Sequence, residues 1–221
     1  MINKILVVAA HPDDEVIGCG GTLIRHDNKG DEIFIIFMTN GEGSRKNTRI
    51  KNRLKSAKTV CKYLGVKELF FLNFPDNAMD TIPLLKIVKK LESIIKRIGP
   101  NIIYTHHYGD LNIDHKIVNQ AVLTATRPEP GNTVKNIFSF EINSSTEWNF
   151  ANRSIFNPTY FTDITGQIEK KKELLDIYID EMRQKTHSRS KESIINLSKI
   201  RSKIVGSKHV ESFEVLRYIE S

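Results

Sequence analysis

Cysteine is scarce in this chain of 221 residues: there are two, Cys19 and Cys61, and they form no C-x-x-C pair. That excludes a disulfide-stapled scaffold and a four-cysteine zinc module, and fits two reduced thiols in a cytoplasmic protein. Long apolar runs are missing as well. None approaches the ~18 residues that cross a bilayer, so no membrane span is expected. The first apolar stretch, Ile5–Ala10, runs at once into His-Pro-Asp-Asp and is too short for a signal-peptide core. No G-x-G-x-x-G is present, which counts against a dinucleotide-binding module, although Gly18-x-Gly20-Gly21 and a basic helix keep a nucleotide-binding regulator as a weak rival. Acidic residues are outnumbered, 26 to 33, leaving a formal net charge of +7. Such a balance suits an anionic ligand. Without a basic repeat or a recognition motif it does not imply nucleic acid.

The segments that remain alternate strand and helix patterns. Ile5–Ala10, Glu32–Thr39, Glu68–Leu72 and Ile102–Thr105 are compact apolar runs, as expected of parallel strands buried on both faces. Helical periodicity fills Glu15–His26, Arg49–Leu64, Thr81–Ile98 and Asp114–Thr126, with Gly65 and Gly99-Pro100 as stops. Beyond residue 130 the pattern loosens. Strands are predicted at Asn136–Ile142, Thr159–Ile164 and Phe213–Ile219, and helices at Gly166–Met182 and Ser190–Val205. With no internal repeat and no Pro/Gly-rich linker, residues 1–221 read as a single α/β domain. It is Rossmann-like and doubly wound, with a mainly parallel sheet, a core over 1–130 and a mixed α+β C-terminal extension over 131–221.

Doubly wound sheets bind ligands beyond the carboxyl ends of their strands. The loops there carry His11-Pro12-Asp13-Asp14-Glu15, Asn40-Gly41-Glu42-Gly43, Phe74-Pro75-Asp76-Asn77, and His106-His107-Tyr108-Gly109-Asp110 on to His115. His11 and Asp14 are three apart, so a tight turn can aim imidazole and carboxylate at one point, as a zinc site requires. Asp13, between them, is free to face a water. A plain helix N-terminus accounts for one or two of these carboxylates but not for the histidine beside them. His115, opening the helix after the fourth strand, is the best third ligand. Two histidines and one aspartate leave a fourth position open. Asp114 is suited to orient a neighbour or cap the helix, and at least one of His106 and His107 is expected to pack rather than react. A run of bases without acids spans Arg45 to Lys67. Most belong to a solvated face, while Arg45, Arg49 or Arg53 could hold a phosphate or carboxylate. Tyr108, Trp148 and Phe150 are candidates to stack on a sugar or nucleobase.

The AHPDDE opening, the glycines Gly18, Gly20 and Gly21 that follow, and the Asp114-His115 segment about a hundred residues later resemble the PIG-L/LmbE-type zinc N-deacetylases. The resemblance covers roughly the first 130 residues. It implies His11, Asp14 and His115 as metal ligands, Asp13 as general base, and Zn²⁺ as cofactor, with other divalent metals possible. It also implies Arg53 as a substrate contact, with Ser56 where an acidic residue is usual. Members commonly carry His-x-x-His, whose first histidine polarises the substrate carbonyl. This chain has Asn112, which can donate a hydrogen bond but not transfer a proton.

The implied reaction is removal of an acetyl group from an N-acetylated amino sugar, anionic or nucleotide-linked, by attack of zinc-bound water with Asp13 as base. Asp13, Asn112 and Asp114 are the expected catalytic residues, and Arg53, His107, Asp110 and Trp148 the expected substrate contacts. The expected partner is a small-molecule sugar, and a homo-oligomer is compatible with the sequence. The alternatives are a zinc amidase acting on a larger acyl or thiol conjugate, and a catalytically impaired sugar-binding relative.

Overall fold

A computed structural model describes residues 2–41, 47–151 and 154–220, with backbone alone for residues 47–51. Seven strands form one sheet: β1 (Lys4–Ala9), β2 (Glu32–Thr39), β3 (Glu68–Phe74), β4 (Ile102–His106), β5 (Asn136–Phe140), β6 (Tyr160–Asp163) and β7 (Val210–Arg217). Their spatial order is β3-β2-β1-β4-β5-β7-β6. Strands β1 to β5 are parallel, and β7 runs antiparallel to both β5 and β6. The expected mainly parallel α/β architecture is what the chain adopts. Residues beyond 130 continue the same sheet.

Among the described residues six α-helices cover the two faces: α1 (Asp14–Asn28), α2 (Asn47–Tyr63), α3 (Leu84–Ile98), α4 (Ile113–Ala125), α5 (Ile168–Ile177) and α6 (Lys191–Ser202). Alternation along β1 sets up two cores. Ile5, Val7 and Ala9 pack under α1, α2, α5 and α6, while Leu6, Val8 and Ala10 pack under α3 and α4. Helix α3 starts three residues later than the periodicity predicts. Pro83 forces Ile82 into extended backbone, and a 3₁₀ turn over Met79–Thr81 fills the gap. The helix predicted over Gly166–Met182 ends at Ile177 and is followed by a 3₁₀ turn, Ile179–Glu181.

Helix α1 holds a feature that periodicity does not reveal. It is broken at Cys19, where φ is −144° and ψ 19°. The break frees N–H groups at the start of its second half, and the Glu211 carboxylate on β7 accepts from Gly21 N at 2.8 Å and Thr22 N at 2.6 Å. Lys171 on α5 donates to Glu211 at 2.6 Å and to the Ile17 carbonyl at 3.0 Å, at the end of the first half. Each charge therefore sits at the helix terminus whose dipole it complements. Gly18 and Gly21 let Phe140 and Ile164 pack directly on the helix. A Cβ at Gly21 would lie 2.9 Å from Ile164.

Strand order reverses between β1 and β4, which are hydrogen-bonded neighbours. The loops after these strands leave in divergent directions and open the crevice that doubly wound sheets use for ligands.

Candidate metal centre

After β1 the chain makes a tight turn through Ala10–Asp14. Asp13 takes a left-handed conformation, φ 108° and ψ −27°. For a residue other than glycine this costs about 1–3 kcal/mol and persists only where the surroundings hold it. The surroundings are specific. The Asp13 N–H donates to Glu15 Oε2 at 2.9 Å, and Arg53 Nε donates to the Pro12 carbonyl at 2.8 Å. The Asp13 carboxylate receives Arg53 Nη2 on one oxygen at 3.0 Å and Arg189 Nη2 on the other at 2.8 Å. Glu15 lies beneath the turn, where burial pushes its carboxyl up to about 8 while Tyr178 donates to its other oxygen.

The turn brings His11 and Asp14 together, with Nδ1 3.1 Å from Oδ2. His115, in the first turn of α4, places Nε2 3.3 Å from that same oxygen and 3.3 Å from His11 Nδ1. These three atoms could hold a metal ion. Their separations approach the ~3.4 Å between neighbouring ligands of a tetrahedral zinc with bonds of about 2.1 Å.

Electrostatics bears on the same three residues. Burial opposes charge on His11, yet hydrogen bonds to Asp114, Asp14 and Asp76 hold its pKa well above the ordinary histidine value. Burial also opposes charge on His115, and Asp110 and Asp14 nevertheless push it up to about 9. Against its own burial, Asp14 is held well below the usual carboxylate range by His115, His11 and His106. Protons held on these imidazoles occupy the nitrogens a metal would use, so metal and proton compete for the cluster.

Each histidine is backed by a carboxylate on its far nitrogen. His11 Nε2 is 3.1 Å from Asp114, and His115 Nδ1 is 3.2 Å from Asp110. Such partners fix the ring and raise its basicity as a ligand. Asp114 is held in turn by the N–H groups of Asn77 at 2.7 Å and Met79 at 3.1 Å. Asp110 accepts from Asn112 N at 2.8 Å, Thr146 Oγ1 at 2.6 Å and Ser145 Oγ. His11 and Asp76 with Asp114 form a second grouping that could hold an ion, but it shares His11 with the first. We take Asp114 as the group that orients that ring.

In front of the cluster opens a cavity of about 380 Å³, whose wall includes His11, His115, Arg53, Asn112, Trp148 and Arg189. Not every residue singled out from the sequence reaches it. His107 turns to the far side of its loop, where Nδ1 meets Glu214 at 2.7 Å and Nε2 meets the Ser154 carbonyl at 3.1 Å. Asp110 lies behind His115, clear of the cavity. Asn112 caps α4, its Oδ1 accepting from Asp114 N at 2.8 Å, and its Nδ2 points to Asn77 Oδ1 at 3.2 Å. Arg53 borders the cavity with Nε and Nη2 committed to the turn. His106 stacks flat on His115 at 3.9 Å and accepts from Ala10 N. Burial, reinforced by His115, holds it well below the ordinary histidine pKa. The side chains of Arg45 and Arg49 lie outside the described residues, and Phe150 is 90% exposed.

Asp76, Arg183, His187 and Arg189 also border the cavity, none of them assigned a role from the sequence. Asp76 lies in a loop already suspect by its position. The other three come from the irregular segment before α6, where no period or spacing marks them. His187 packs edge-on against Trp148 at 5.4 Å. Among the described residues the buried Arg189 Nε–H finds no acceptor, a condition that costs about 1–3 kcal/mol. No helix among the described residues is long and apolar enough to cross a membrane.

Comparison with known proteins agrees with this geometry. Residues 6–126, more than half the chain, match the family model described as PIG-L, GlcNAc-PI de-N-acetylase. The uncharacterized deacetylase YaiS of Escherichia coli K12 is 35% identical over 131 residues, 57% of this chain and 69% of that protein. A probable N-acetyl-alpha-D-glucosaminyl L-malate deacetylase 2 of Bacillus cereus is 29% identical over 141 residues. That match covers 59% of this chain and 64% of the relative, just under two thirds of its length. Among solved structures, the conserved protein TT1542 from Thermus thermophilus superposes with a TM-score of 0.80 at 23% identity, over 100% of this chain and 97% of that one. That likeness establishes a common fold.

Proposed function

The chain belongs to the PIG-L family of de-N-acetylases, and from that premise we propose that it removes the acetyl group from an N-acetylated amino sugar carrying an anionic substituent. The observation that carries this reading is the convergence of His11, Asp14 and His115, with both imidazoles bordering the cavity, beside a strained, buried Asp13 whose two arginine partners also border it. A divalent cation on those three residues, zinc by ligand type, would polarise the amide and acidify a water.

The protein's own groups account for the remaining steps. Asp13, fixed in direction by its turn and its two arginines, takes a proton from the attacking water and returns it to the departing nitrogen. Asp114 and Asp110 keep both imidazoles turned toward the cluster. Trp148, 39% exposed at the wall, offers a face for the sugar ring. For the anionic substituent we assign Arg183, an exposed cavity residue. Arg53 is the less suitable candidate, because its guanidinium already serves Pro12 and Asp13.

Metal quantification on purified protein, combined with acetate release from N-acetylglucosamine, its 1-phosphate and N-acetylglucosaminyl malate, tests the reading. The expected result is one metal per chain, activity abolished by chelation and restored by zinc, and faster turnover of the anionic sugars. Full metal loading with no acetate from any of the three would overturn it.

A further inference from the structure

Two arginines grip Asp13, and they are held differently. Arg53 is committed through Nε and Nη2. Nε donates to Pro12, Nη2 donates to Asp13, Glu181 lies 3.8 Å from Nε, and Gly41 packs against the guanidinium so closely that a Cβ there would collide with it. Arg189 meets the same carboxylate through Nη2 at 2.8 Å and reaches Asp14 at 3.5 Å. Its Nε–H has no acceptor among the described residues, and its side chain forms part of the cavity wall. One arginine is built into the turn. The other stands between the base, a ligand carboxylate and the cavity, with a donor unused.

We propose that Arg189 is a catalytic residue that donates a hydrogen bond to the carbonyl oxygen of the scissile amide; this rests on the deacetylase reading above. In that hydrolysis the water oxygen bonds to the carbonyl carbon as one water proton passes to Asp13. The π pair of the C=O bond moves onto oxygen, which becomes negative. When the pair returns, the C–N bond breaks and the nitrogen takes the proton from Asp13, leaving acetic acid and the free amine. Arg189 keeps its protons throughout and stabilises the charge on oxygen. A guanidinium suits this role because it stays charged and presents several donors in a rigid fork. Turning toward the substrate also draws Nη2 away from Asp13 and frees a carboxylate oxygen to accept the proton.

The other donors near the cluster are otherwise engaged. Asn112 caps α4 and bonds Asn77, and His107 faces Glu214. Among the described residues, Arg189 is the cation that contacts both Asp13 and Asp14 while bordering the cavity.

The test uses metal-loaded Arg189→Ala and Arg189→Lys with the fastest substrate of the three-sugar panel. Removing one oxyanion donor is expected to lower kcat about 10²–10³-fold, with KM within about threefold and metal content unchanged. Guanidinium chloride below denaturing concentration should restore Arg189→Ala about tenfold or more and do nothing for Asp13→Asn. Calorimetric titration with the methylphosphonamidate analogue of the same sugar gives a readout apart from turnover. Its affinity for Arg189→Ala should fall about as far as kcat/KM, while affinity for the amine product stays within about threefold. An active wild type whose Arg189→Ala keeps kcat within about threefold, or binds the analogue undiminished, overturns this proposal alone. A loss confined to KM does the same. A wild type that releases no acetate overturns the deacetylase reading and this proposal with it.

Discussion

Residues 6–126 and the segment beyond residue 131 contribute to one cavity by different means. The first region sets His11, Asp14 and His115 at the ends of adjacent parallel strands, with a carboxylate behind each imidazole. The second supplies Arg183, His187 and Arg189 from an irregular stretch between a 3₁₀ turn and α6, and Trp148 from another. Ligands that must converge within tenths of an ångström belong on a sheet frame. Groups that recognise a variable substrate belong on loops, which tolerate change. The comparison predicts that substitutions in the first region abolish chemistry on every substrate, and that those in the second discriminate between substrates or between ground and transition states.

The largest effect should come from His115→Ala, which removes a ligand and leaves Asp14 and Asp110 facing each other. Metal content measured by plasma emission should fall toward zero and acetate release to background. Retention of a full metal equivalent would move the centre away from His115. Next is Asp13→Asn. Turnover should drop about 10²–10⁴-fold with metal retained, since an amide cannot take the proton. Near-normal kcat at full loading would remove Asp13 as base.

Smaller effects should separate the arginines. Arg53→Ala loosens the strained turn, so kcat/KM should fall about 10–100-fold, equally for N-acetylglucosamine and its 1-phosphate, in line with a lost charged hydrogen bond of about 1.5–3 kcal/mol. Arg183→Ala should cost about tenfold or less, and on the phosphorylated sugar alone. A loss for Arg53→Ala restricted to the anionic sugar would return the anion to Arg53.

The fold and the site differ in how far the sequence discloses them. The βα rhythm is legible because buried parallel strands are continuous apolar runs and the helices between them are amphipathic. The motif loops are legible because topology says which strand ends matter. The break in α1 is not, since Glu211, the residue that caps its second half, lies 190 positions downstream of Gly21. The orientation of His107 is decided by Glu214 on β7, again a distant partner. The role of Arg53 depends on a positive-φ turn at Asp13, a conformation uncommon for any residue but glycine. Arg189 belongs to a segment without periodicity, where tertiary contact alone assigns a role.

The break in α1 offers the gentlest test of how far the two regions depend on each other. Lys171 and Glu211 are both nearly inaccessible, and removing one partner of a buried pair costs about 3–5 kcal/mol. Lys171→Met should lower the urea midpoint accordingly while leaving kcat of the folded fraction close to wild type. A midpoint unchanged from wild type would show that the second half of α1 needs no help from the later segment.

The placement of β7 bears on the order in which the molecule can form. It lies between β5 and β6, and among the described residues β6 has no other strand partner. During synthesis, residues 160–163 must wait for residues 210–217 before they can join the sheet, and the Lys171–Glu211 clasp waits for the same strand. Such late, long-range pairing slows folding. It also means that the whole connection bearing Arg183, His187 and Arg189, with α5 and α6 on either side of them, is closed at its ends by a single antiparallel pair. A nascent chain already holding His11, Asp14 and His115 has its candidate metal cluster before that far wall is drawn closed.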